Sequence, residues 1–198
     1  MGISEDLQKA KEIGAWVHEK TNEISIPRNK RNMMGAALLQ QSLDVSDAIV
    51  ILLEHNLPGP AWALARPLHE GYVRGVWLLE HASDESVDKF ESGFCPKFPE
   101  LLKQIGDAPG SGGAFITGMS DLNLSSFHDL THGGMEHIIR RTTDSAIEPN
   151  YSSEEIERFI CMRNQYSMLV CCFLLLLADD HRSMEQLLDK RREWKDAL

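Results

Sequence analysis

A chain of 198 residues is near the upper limit of what one hydrophobic core organises, so a single domain over 1–198 is expected. Its 42% hydrophobic and 25% charged residues exclude a disordered chain. Its formal net charge of -10 disfavours general binding to nucleic acid or to an anionic membrane.

The first segment, from Ser4 to about Asn22, repeats apolar residues at helical spacing (Leu7, Ala10, Ile13, Trp16, Val17), with Ser4 placed as its N-cap. Charges scattered through Met1 to Lys20 leave no apolar leader core, so no secretory signal is expected. After Pro27 a longer helix carries Met34, Leu38, Val45, Ile49 and Leu53 and ends near Asn56, before the turn Pro58-Gly59-Pro60. Pro60 opens a third helix to about His81. Pro67 falls inside it, removes the bond to the Ala63 carbonyl and predicts a kink or break whose freed carbonyl needs another partner. Ser83 and Asp84 start a short fourth segment.

From Gly93 to Ser120 prolines and the stretch Gly110-Ser111-Gly112-Gly113 mark an excursion, with one short helix from Pro99 to Ile105. That stretch lacks the Lys-Ser/Thr ending of a phosphate loop. Ser152 and Glu155 form a capping box that opens a long helix through the apolar run Met168 to Ala178. The run is about half of the roughly 20 residues that span a bilayer, so it reads as the buried central helix and no membrane contact is expected. A last amphipathic helix runs from about Arg182 to Trp194. Nothing alternates with a period of two. The predicted fold is an all-α, single-domain bundle of about six to eight helices with a Gly/Pro-rich excursion near 93–120. The cysteines at 95, 161, 171 and 172 have no Cys-x-x-Cys spacing and read as reduced thiols of a cytoplasmic protein.

Two polar constellations interrupt segments that otherwise look buried. In Arg66-Pro67-Leu68-His69-Glu70, followed by Arg74, the residues Arg66, Glu70 and Arg74 share one helical stripe. In the second, His128 and His132 stand four apart and share a face that could hold a metal or a phosphate, while Gly133-Gly134 stops the helix and separates Glu136 from that face. There is no His-Glu-x-x-His signature and no nucleophile elbow, and no cofactor is expected.

Arg66-Pro67-Leu68-His69-Glu70, then Leu130-Thr131-His132-Gly133-Gly134 and Arg140-Arg141, resembles a family of bacterial helical proteins known as a domain of unknown function, over roughly Arg31 to Leu177. The chain is also loosely similar to HEPN-like helical bundles, many of them toxins, RNA-cleaving enzymes or phage-defence components. Their catalytic helix carries an arginine and a later histidine; Arg163-Asn164 begins such a pattern, but Met168 or Leu169 stands where the histidine belongs.

The residues together point to a helical binding or regulatory protein in which Arg66, Glu70, His128 and His132 line one pocket between helices. The resemblance adds a link to bacterial defence or toxin–antitoxin systems. The alternative is a metal-assisted hydrolase or HEPN-like ribonuclease, with His128 or His132 as base or ligand and Arg66 stabilising phosphate charge. The partner classes left open are a second copy of the chain, an unknown small ligand and another protein. The small basic spots Arg28-Lys30-Arg31 and Arg140-Arg141 keep nucleic acid from being excluded.

Overall fold

The computed structural model describes residues 2–106 and 129–198, and among them every extended element is a helix. Helix α1 spans Ile3–Thr21. Its cap is Gly2, whose backbone N–H donates to Glu5, so Ser4 lies inside the helix instead of capping it. Helix α2 (Lys30–Glu54) starts at Asn29, whose side chain accepts from the Asn32 N–H at 2.9 Å. The predicted third helix is two, α3 (Pro58–Ala63) and α4 (Ala65–Glu80), parted at Leu64. Helix α5 (Asp84–Glu91) is capped by Ser83, and α6 (Phe98–Gly106) follows inside the expected excursion. The Gly110 to Gly113 stretch lies outside the described residues.

Residues 129–132 are helical, then α7 covers Met135–Ile139 and one antiparallel bridge joins Thr142 to Ile147. The capping box of Ser152 and Glu155 opens α8 (Ser153–Leu177), and α9 (His181–Glu193) starts at Asp180, which accepts from the Ser183 N–H at 3.0 Å. The α-helices given bounds among the described residues are nine, because the break at Leu64 splits one and α7 is added, and a 3-10 turn follows at Lys195–Ala197.

Helix α8 is the central one, packing on α1, α2 and α9, while α2 lies lengthwise along α4 and α4 supports α6. The α2–α4 approach is close because glycines face each other. A Cβ on Gly75 would stand 2.8 Å from the Leu39 side chain and 3.2 Å from the Gly35 carbonyl oxygen. One connected apolar cluster runs from Leu7 through Leu39, Leu68, Trp77 and Phe159 to Leu187. By length and composition α2 and α8 could each cross a membrane, but α8 is the mostly buried core helix of the bundle, and the fold is consistent with a soluble protein.

Candidate functional site

The site is built on the break that Pro67 imposes. Leu64 N–H turns back to the Ala61 carbonyl at 3.1 Å, and α4 restarts at Ala65, which leaves Pro67 in a first turn where no N–H is needed. The Ala63 carbonyl that loses its i+4 donor is taken by the Thr131 hydroxyl at 3.3 Å. That bond sets the turn carrying His132 against the start of α4.

From this break an ion-pair ladder climbs α4. Arg66 Nε donates to Glu70 Oε1 at 2.6 Å, and Arg74 Nη2 meets Glu70 Oε2 at 2.8 Å. Glu70 is only 16% exposed. Desolvation would raise its carboxyl, but the Arg66 hydrogen bond and the two guanidinium charges outweigh it and hold the group below the usual carboxylate range. The ladder is ionised and half-buried.

Beneath it lies a residue that the sequence reading passed over although it sits in the same pentapeptide. His69 is buried at 2% exposure, and its Nδ1 pairs with the Tyr166 hydroxyl of α8 at 2.6 Å. Burial pulls the imidazole down to about 4, so it is neutral near pH 7. Its ring lies edge-on to Phe98, the first residue of α6, which also faces the Arg74 guanidinium. The signal was the spacing: one position off the charged stripe, His69 points where Leu68 and Val73 are buried, and a core imidazole needs a partner.

The second constellation folds as a tight turn. Gly133 has φ 74°, and the Gly134 N–H bonds the Asp129 carbonyl at 2.7 Å. A Cβ on Gly134 would fall 2.5 Å from Asp129 Cγ, so any other residue there would have to displace the Asp129 side chain. His132 is exposed; His128 lies outside the described residues, so its pairing with His132 is not described. Glu136 belongs to α7 and faces Arg140, as the glycine stop implied. Among the described residues no group of three His, Cys, Asp or Glu side chains is placed to hold a metal ion. Arg140 pairs with Glu155 and stands over the Tyr151 ring, which touches Trp62 of α3. Both ends of the segment 131–140 therefore return to the α3–α4 break.

Arg163, where a HEPN-like motif would begin, has a structural environment. Fully buried, it donates to the carbonyls of Ala10 and Ser46, to Asn164 and to Asp47. Burial lowers its guanidinium to about 10 against the pull of Asp47, which leaves it charged at neutral pH.

A family model matches residues 39–198. The chain belongs to DUF6988, a family of unknown function. The DUF6988 region begins within α2 and contains the α3–α4 break, the ladder, His69, Tyr166 and the 129–140 segment, whereas α1 precedes it. No curated protein and no solved structure matches the chain.

Proposed function

We propose that this protein is a helical binding protein whose ligand site is the polar seam of Arg66, Glu70 and Arg74 with the turn carrying His132 set against it, and with His128, four residues before His132, as a further candidate binding residue. The reading is supported chiefly by the Thr131 hydroxyl on the Ala63 carbonyl, which anchors the residue next to His132 three positions before Arg66. A half-buried ladder gives little net stability once desolvation is counted, so its presence is better explained by recognition. Native mass spectrometry of the protein purified from its own host is expected to show a bound small molecule that Glu70→Gln and His132→Ala lose while keeping their helical circular dichroism. Retention of that molecule by both variants would sink the assignment.

The enzymatic reading, a hydrolase or ribonuclease using His128 or His132 as base with Arg66 on phosphate, places the same residues in different roles. RNA cleavage by the wild type that disappears in His132→Ala would favour it. A role in defence or toxin–antitoxin systems rests on the HEPN-like similarity, and altered phage plating on deletion of the gene would support it.

A further inference from the structure

At the seam two buried polar atoms have no hydrogen-bond partner among the described residues, and their side chains both contact the Phe98 ring. His69 is held through Nδ1 by Tyr166, but its Nε2 reaches no hydrogen-bond partner among the described residues. Arg74 gives Nη2 to Glu70, while its buried Nε is likewise without an acceptor among them. The Phe98 ring centroid lies 5.3 Å from that of His69 and 6.0 Å from the Arg74 guanidinium carbon. An aromatic face compensates an N–H only weakly, and leaving such a buried group unpaired is costly. Two such atoms on side chains that both contact one ring call for an explanation.

Their chemistry selects the ligand. Arg74 Nε is a donor whatever its state, and the guanidinium brings a full positive charge. A neutral His69 that accepts the Tyr166 proton at Nδ1 presents Nε2–H as a second donor. Phe98 is partly exposed, so a small molecule can reach the ring that contacts both side chains. Resting on the binding reading above, we infer that the ligand carries an oxyanion, a carboxylate or phosphate, which takes the Arg74 Nε–H and His69 Nε2–H when the Phe98 side chain turns aside. Glu70 keeps Arg74 in place through Nη2 and leaves the Nε edge for the ligand.

Nitrogen-15 NMR observes the arginine Nε–H directly. Benzoate and inorganic phosphate serve as anionic probes, with benzamide and benzylamine as the uncharged and cationic counterparts. At least one anion is expected to shift the Arg74 Nε–H resonance saturably in the wild type, and the other two probes are not. By isothermal titration calorimetry with the same anion, Arg74→Gln should weaken that binding at least tenfold, whereas Arg158→Gln, at an exposed arginine of α8, should leave it unchanged. Phe98→Ala, which removes the cover, should tighten it.

Saturable shifts from benzamide or benzylamine without any from the anions would overturn the oxyanion assignment and leave the binding reading standing. Silence from all four probes would overturn it too, and the binding reading is then decided by the co-purified molecule alone. Should Arg74→Gln fail to fold, the wild-type titration still decides.

Discussion

His69 couples the seam to pH. Its pKa falls from 6.5 to about 4 on folding because burial disfavours the imidazolium, with Glu70 opposing. As pH drops below about 6.5 the unfolded chain takes up this proton before the folded one does. Stability is therefore undiminished above that pH and declines between about 6.5 and 4. Replacing the residue by Gln, which can still meet the Tyr166 hydroxyl, removes this contribution. Urea unfolding of wild type and His69→Gln should show their stability difference shifting by roughly 2 kcal/mol in the variant's favour between pH 7 and 4.5. A pH-independent difference would mean that the imidazole ionises equally well in both states.

The α3–α4 break depends on two residues far apart in the chain. Pro67 withholds the N–H that would reach Ala63, and Thr131 supplies a hydroxyl in its place. Thr131→Val should cost about 1 kcal/mol, the worth of one partly buried hydrogen bond. In a Pro67→Ala background the restored N–H can take the carbonyl, so the same substitution should cost less than half as much. Denaturant titration of the four proteins in a double-mutant cycle measures that coupling. Additive effects would show that the carbonyl does not link the two sites. Pro67 and its consequence for Ala63 could be read from the sequence, because a missing N–H is a local property. Thr131 could not be named, since any hydroxyl brought there by the fold would serve.

The bundle is tied together by a charge at its centre. Arg163 of α8 reaches the carbonyl of Ala10 in α1 and both the Ser46 carbonyl and the Asp47 carboxylate of α2, so one side chain joins three helices. Gly14 leaves it room: a Cβ there would stand 3.1 Å from the guanidinium. Asp47→Asn strips the buried cation of its counter-charge. Because Asp47 is 37% exposed and water can partly substitute, the expected loss is about 2 kcal/mol, below that of a fully buried pair. Chemical denaturation checks the size, and ligand retention at the seam should survive, since neither residue contacts it. No change in stability would mean that the carbonyls of Ala10 and Ser46 and the Asn164 side chain hold Arg163 without it.

What could be read directly from the chain was whatever depends on neighbours in sequence. The helical period, the Ser152–Glu155 capping box, the break at Pro67 and the glycine stop before Glu136 all follow from groups within a few residues of each other. The Arg66–Glu70–Arg74 stripe belongs to the same class, because four residues make one helical turn. Packing settled the rest. His69 meets Tyr166 from 97 residues away, and Arg163, flagged in the sequence as the start of a catalytic pattern, is spent on holding α1 and α2. Such pairings depend on which helix faces lie against one another, a property of the whole core that no local spacing encodes.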